Sequence, residues 1–417
     1  MRKRILTAAV AAATLASGAQ AAGFYLKEQS VVGQGRAFAG SAAGTDGASA
    51  AYFNPAGVVG LERQIEVGVH YIKPDVTVTN NGTSYLDLSS VPPINTNFAF
   101  MNGTKNTVEP YSGKPVPNMH AVLPMNDELT LGIAVGAPYG FSNDYGTDSF
   151  TRGDHIKVDF SSIETSFSVA KMVSDKTSLS VGLMVQMLEL DQDKLAANGT
   201  VTKLKGDSTD YGFVLGMQHK PSEDMTIGAS YRSQVTHTVD GTLGTTPVTA
   251  PFQLPDIFML GVSHNMSDTT RLYADATWYG WSAYKTQMIT SKTGTDISEI
   301  ESNYSNTVSF GLGVEHDYED GLTARAGIMV DPTPTNDTDR TTASPDSDRT
   351  WLSAGLSKKM SDQMDVDFAL THIMADNTKV NKAVKLPLTS GGVQVGTVRA
   401  NVKGSTNIVS FGLRYKF

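Results

Sequence analysis

The chain has 417 residues, of which 40% are hydrophobic and only 18% charged, with 39 glycines, no cysteine and a formal net charge of −9. The absence of cysteine excludes disulfide scaffolds, thiolate zinc sites and cysteine nucleophiles, and the acidic balance leaves no surplus of cations for a nucleic-acid backbone. No run of about 18 apolar residues is present, which excludes a transmembrane helix but not a membrane-spanning sheet.

At the start, Arg2, Lys3 and Arg4 precede an apolar stretch from Ile5 to Ala16, followed by Ala19-Gln20-Ala21. A basic head, a short apolar core and an A-x-A pattern predict a signal peptide over 1–21, leaving Ala22 as the mature N-terminus. Losing those three positive charges takes the net charge from −9 to −12. Residues 22–60 do not alternate. Gly23, Gly33, Gly35, Gly40, Gly44, Gly47 and many alanines lead to Asn54-Pro55-Ala56. A segment this rich in small residues can pack closely against a wall, so it is expected to form a plug. Gly33-Gln34-Gly35-Arg36 has neither the preceding strand nor the third glycine of a dinucleotide loop.

From Leu61 onward the period is two. Val308, Phe310, Leu312 and Val314 alternate with Ser309, Gly311, Gly313 and Glu315; Val409, Phe411, Leu413 and Tyr415 alternate with Ser410, Gly412, Arg414 and Lys416. Such strands have one apolar and one polar face, and at roughly 10 to 16 residues they can cross a bilayer at a tilt. Six tight turns rich in Ser, Asn, Asp and Gly fall at 125–128, 173–176, 221–224, 266–269, 318–321 and 360–363. Longer polar stretches, roughly 79–116, 142–154, 193–207, 241–251, 285–302, 332–349 and 377–403, alternate with them. The six short and seven long connections join fourteen strands. The expected fold is all-β: a 14-stranded antiparallel transmembrane β-barrel over 61–417, with the 22–60 segment as a hatch inside the lumen. Closure has a physical reason, since a sheet edge in hydrocarbon would leave backbone donors and acceptors unpaired. Tyr71, Tyr231, Trp278, Tyr279, Trp281 and Tyr415 are expected in the interfacial girdles.

The third strand, Leu129 to about Phe141, contains Gly136-Ala137-Pro138-Tyr139-Gly140. Proline cannot donate to a ladder, so this run either kinks the strand or marks its outer rim. Alternation puts Arg232 and Arg325 on the lumen face, where each could meet a ligand carboxylate or pair with a lumen acid such as Glu164 or Asp275. Met184, Met187, Met217 and Met329 could supply adaptable apolar surface. Asp331, Asp337, Asp339, Asp346 and Asp348 read as a solvated acidic loop without calcium-loop spacing. The eight histidines are dispersed and lack metal-ligand spacing, and there is no nucleophile-elbow motif. No metal, cofactor or catalytic site is therefore expected.

Ala22-Gly23-Phe24, Gly35-Arg36-Ala37 with Ala39-Gly40, Asn54-Pro55-Ala56, Tyr71 to Val76, Pro117 to His120, Tyr231-Arg232-Ser233, Leu254-Pro255, Trp281-Ser282, Pro345-Asp346 with Asp348-Arg349, and Trp351 to Gly355 follow in order along the mature chain. These blocks resemble the FadL-type outer-membrane transporters of long-chain fatty acids and other hydrophobic compounds. The resemblance implies that Asn54, Pro55 and Ala56 form the hatch motif. It implies a lateral gate at the third-strand kink (Gly136, Pro138, Tyr139, Gly140) and a ligand pocket at Phe24. The implied function is passive uptake of a hydrophobic compound in the Gram-negative outer membrane, with sideways release into the bilayer. Lumen basicity favours long-chain fatty acids; an aromatic or alkane hydrocarbon channel, or a general porin, is the alternative. The expected surroundings are outer-membrane lipid and lipopolysaccharide, with the protein acting as a monomer.

Overall fold

The computed structural model describes residues 23–417, apart from 93, 95, 197 and 387–391. The expected signal peptide lies outside the described residues. Fourteen antiparallel strands close into a barrel. In chain order these are β1 (Gln64–Asn80), β2 (Lys114–Pro124), β3 (Leu129–Gly136 and Gly140–Asp144), β4 (Lys157–Ser174), β5 (Thr177–Leu195), β6 (Val201–Ser222) and β7 (Met225–Arg232 and Val235–Leu243). They continue with β8 (Thr246–Leu254 and Ile257–Asn265), β9 (Thr270–Tyr279 and Gln287–Ser291), β10 (Asp296–Ile300 and Thr307–Asp317), β11 (Leu322–Asp331), β12 (Arg349–Lys359), β13 (Met364–Ala375 and Thr378–Leu386) and β14 (Val393–Lys416). Each strand pairs with its sequence neighbours, and β1 pairs with β14 from Gln64↔Lys416 to Asn80↔Ala400, so the sheet has no edge.

The alternation sorts side chains inside out. Phe167, Leu183, Phe213, Leu260, Phe310, Leu312 and Phe411 are exposed on the outer wall, whereas His70, Glu164, Gln186, Arg232, Asp275, Glu315 and Asp367 are buried within. In water this would waste the hydrophobic effect. In hydrocarbon it is the stable arrangement.

The six tight turns lie where expected, at the end of the barrel that also carries the start of β1 and the end of β14. Four of the seven expected long loops are mostly strand. Asp193↔Lys203, Gly241↔Val248, Met288↔Glu299 and Val380↔Ala400 are ladder pairs within those stretches. Beyond the bilayer both faces of a strand meet water, so alternation disappears while backbone pairing continues. The extended irregular connections are 81–113, 145–156 and 332–348. The aromatic expectation also needs correcting: Tyr71 is exposed on the outer wall, but Tyr279 and Trp281 are buried inside the barrel.

Candidate functional site: a plugged lumen, an aromatic cavity and a broken strand

Residues 23–58 form short turns and helices, including α1 (Val31–Gln34) and α2 (Ala50–Phe53), and almost all are buried. Their neighbours place them inside the barrel. Wall glycines on β1, β3, β8, β10, β12 and β14 meet them, so the segment touches the cylinder nearly all the way round. A Cβ at Gly261 would lie 2.8 Å from Ala43 N, one at Gly355 2.7 Å from Gly35 Cα, and one at Gly412 3.1 Å from Val31 Cγ2. The wall is thinned to hydrogen where the segment's backbone approaches.

Asn54-Pro55-Ala56 anchors the segment to β5 and β6. Asn54 Nδ2 donates to Ala42 O at 2.7 Å and Met217 O at 2.8 Å, and its Oδ1 accepts from Ala56 N at 3.2 Å. Proline suits the first position of the short turn that follows, where a donor would go unused. Ser178 Oγ donates to Ala56 O at 2.7 Å.

β3 is interrupted at Ala137–Tyr139, the stretch containing Pro138 and flanked by Gly136 and Gly140. The β2–β3 ladder covers only Met119↔Val135 to Pro124↔Thr130, although β2 stays paired to β1 as far as Lys114. Residues 115–118 of β2 therefore make no ladder pair with β3, and beside them Lys114 Nζ donates to Ser142 Oγ of β3 at 3.1 Å. Pro115 and Pro117 lie in this part of β2, and prolines at alternate positions remove donors from one edge of a strand. Sequence reading gave neither of these two a role in the wall, and their spacing was the available signal. The N-terminal segment fills the break. Leu26 N donates to Pro138 O at 2.7 Å, Gly140 N donates to Phe24 O at 3.0 Å, and Tyr25 bridges to Tyr139. Gln29 Nε2 adds a bond to Ala137 O at 3.0 Å.

Phe24 itself points into a small cavity lined by Phe141, Phe160, Phe252, Tyr284 and Tyr304, with Glu301 and Asp339 as its charged lining residues. Its ring packs edge-on against Trp281 (centroids 4.8 Å apart), Tyr284 (5.0 Å) and Phe160 (5.3 Å), geometries that aromatic quadrupoles favour. Gly23 has φ +68°, and a Cβ there would lie 2.7 Å from Trp281. Asp346 Oδ2 accepts from Gly23 N at 3.1 Å, tying the segment to the 332–348 loop. That loop also contributes Thr341, Ala343 and Ser344 to the cavity wall.

Arg232 and Arg325 face inward but do not line this cavity. Arg232 pairs with Glu164, donates to Tyr52 O at 2.9 Å and stacks 4.3 Å from the Tyr52 ring centroid. Arg325 pairs with Glu315, which also holds Arg271, with Arg36 3.5 Å away. Arg232 thus ties the segment to the wall directly, whereas Arg325 holds Glu315 and Ser357 of the wall and meets the segment through Glu315, which Arg36 approaches. Met184 and Met329 face inward, Met187 and Met217 face outward, and none of the four lines the cavity. Two acids expected in a solvated loop are buried: Asp331 ends β11, and it shares Arg349 with Asp346 at 3.4 and 3.5 Å. Burial is sustained because the carboxylates and the guanidinium offset one another. Among the described residues, no acidic or histidine cluster has the spacing to hold a metal ion.

A family model described as outer membrane protein transport protein (OMPP1/FadL/TodX) matches residues 12–417. A "Long-chain fatty acid transport protein" of Escherichia coli O6:H1 is 24% identical over 89% of this chain and 91% of its own length. Among solved structures, a Pseudomonas aeruginosa FadL homologue superposes with a TM-score of 0.83 at 21% identity, covering 95% of this chain and 100% of its own. The Ralstonia pickettii toluene transporter TbuX gives a TM-score of 0.64 at 17% identity, covering 93% of this chain and 98% of its own.

Proposed function

The chain belongs to the outer membrane transport protein family (OMPP1/FadL/TodX), and from that premise we propose that it admits long-chain fatty acids by passive diffusion and releases them sideways into the membrane. The signal peptide directs export, the barrel works as a monomer, and no catalytic step is involved. The ligand enters among the outer loops and settles against Phe24. Displacement of Phe24–Leu26 then frees the break in β3 and opens a path to the unpaired stretch beside β2. A greasy molecule leaving this way enters hydrocarbon without re-entering water.

One observation carries the reading. Phe24 lines the cavity with its ring while its carbonyl accepts from Gly140 at the break. A ligand that moves Phe24 therefore also moves the strut across the opening. The outer wall supports the surroundings: Lys114, Lys157, Lys203 and Lys205, interspersed with acids, line an outward groove above the apolar belt. Phosphates of lipopolysaccharide and bridging divalent cations suit such a mixed lining.

A second reading, uptake of a neutral aromatic or alkane hydrocarbon, is favoured by the lack of any lysine or arginine in the cavity lining. The test uses cells lacking their own uptake protein and supplied with labelled oleate. Pro138→Val with Gly140→Val regularises β3 and is expected to cut the uptake rate about tenfold while the barrel assembles normally. Unchanged uptake with normal assembly rejects the lateral route. Sugar-driven swelling of proteoliposomes would reject the plugged channel in favour of a porin.

A further inference from the structure

Six cations are buried among the described residues: Lys27, Arg36, Arg232, Arg325, Arg340 and Arg349. Every arginine in this set has a carboxylate partner: Asp46 for Arg36, Glu164 for Arg232, Glu315 for Arg325, Asp337 for Arg340, and Asp331 with Asp346 for Arg349. Lys27 has no ion pair among the described residues. Its ammonium donates to Ser309 Oγ at 3.2 Å, Met329 Sδ at 3.3 Å and Thr277 Oγ1 at 3.5 Å, and lies 5.8 Å from the Tyr279 ring centroid. All these groups are neutral. The acids around it, Asp275, Asp331 and Glu28, act at a distance, and Asp275 is reached through Thr277, whose hydroxyl donates to Asp275 Oδ1 at 2.8 Å.

Burying an ammonium without a direct counter-ion is costly, and a methionine or glutamine of similar length would avoid the cost. The position of Lys27 gives the charge a use. It follows Phe24 by three residues, on the stretch that spans the break in β3. The cavity above it has no cation in its lining, and its charged lining residues, Glu301 and Asp339, are acids. Glu301 is already neutralised by Lys382 and Lys385, so among the described residues an anionic head group in that cavity finds no lining cation to pair with before it passes Phe24.

We propose that Lys27 receives the carboxylate of a long-chain acid as the N-terminal segment yields, so that the channel prefers acids to neutral molecules of equal length. This rests on the uptake reading above and names its substrate class. The head group replaces neutral hydroxyl and thioether contacts with a charge-assisted pair, which are the stronger bonds. The gain is available only in the displaced state, so it favours opening. Lys27 is thus a specificity residue.

The experiment compares palmitoleate with palmitoleyl alcohol, measuring both equilibrium binding to the detergent-purified full chain and flux into proteoliposomes. Lys27→Met is expected to weaken acid binding and slow acid flux by roughly tenfold to a hundredfold, leaving the alcohol within about twofold. Lys27→Arg is expected to retain most of the acid preference. Equal losses for acid and alcohol, or no loss for the acid, overturn the role of Lys27. Wild-type protein that takes up neither compound instead rejects the uptake reading itself. Should Lys27→Met fail to assemble, Lys27→Gln, which keeps hydrogen-bond donors without the charge, is expected to show the same selective loss of the acid.

Discussion

The amide of Gly23 donates to a carboxylate oxygen of Asp346 at 3.1 Å, across 323 positions of sequence. This bond joins the inner segment to an outer loop, and the two together wall the aromatic cavity. Asp346→Ala removes the acceptor while leaving every barrel ladder intact. The expected outcome is roughly tenfold weaker binding of a fluorescent fatty acid, since bonds to charged groups contribute about 1.5–3 kcal/mol, while Arg349 keeps Asp331 as a partner and the barrel keeps its ladders. Unchanged binding would show that the loop and segment are held independently.

The wall glycines that face the segment make a second prediction. Gly261→Leu with Gly355→Leu places side chains where Ala43 N and Gly35 Cα now sit. The barrel is expected to assemble, because strand pairing does not depend on those side chains, but the segment is displaced. Single-channel conductance in planar bilayers then rises from near zero to porin-like steps. A closed channel in the double variant contradicts this account of the plug.

Arg232 and Glu164 make a third. Arg232→Met leaves Glu164 buried without its cation, a loss of roughly 3–5 kcal/mol for a broken buried pair. Glu164→Gln alone leaves the arginine in the converse position. The double variant is expected to recover much of either loss, because no lone charge remains. Protease access to the N-terminal segment in the folded barrel provides the readout, and additive losses would exclude direct coupling.

His155 provides a pH prediction. It lies in the 145–156 loop, with Nε2 2.7 Å from Asn143 Oδ1, and burial pushes its pKa down from 6.5 to about 3. Between those values the undocked loop binds the proton more readily than the docked one. The contribution of this histidine is therefore fully present above about 6.5 and is lost as pH falls toward 3. Hydrogen exchange of the loop amides is expected to speed up at about pH 4.5 relative to about pH 8, after correction for intrinsic rates. His155→Gln should flatten that difference; an equal pH response in the variant would assign it to other groups.

The strands were legible from sequence wherever hydrocarbon touches one face. Phe310 and Leu312 had to alternate with small or polar partners because lipid and lumen impose opposite demands on successive side chains. The tight turns followed from their Ser, Asn, Asp and Gly, and the absence of barrel strands over the described residues 23–60 from a small-residue segment that could not alternate. Above the bilayer that demand lapses, which is why ladder pairs such as Gly241↔Val248 read as loop.

The local sequence thus determined the closed barrel, the inward placement of Arg232 and Arg325, and the weakness of β3 at Pro138, since each depends on nearest neighbours and solvent alone. Only the tertiary structure decided which inward charges neutralise one another, that Trp281 packs on Phe24 rather than facing lipid, and that the leading segment spans the break in β3. Those outcomes depend on distances between residues far apart in the chain, and a periodic pattern specifies the face a side chain takes, not the partner it meets there.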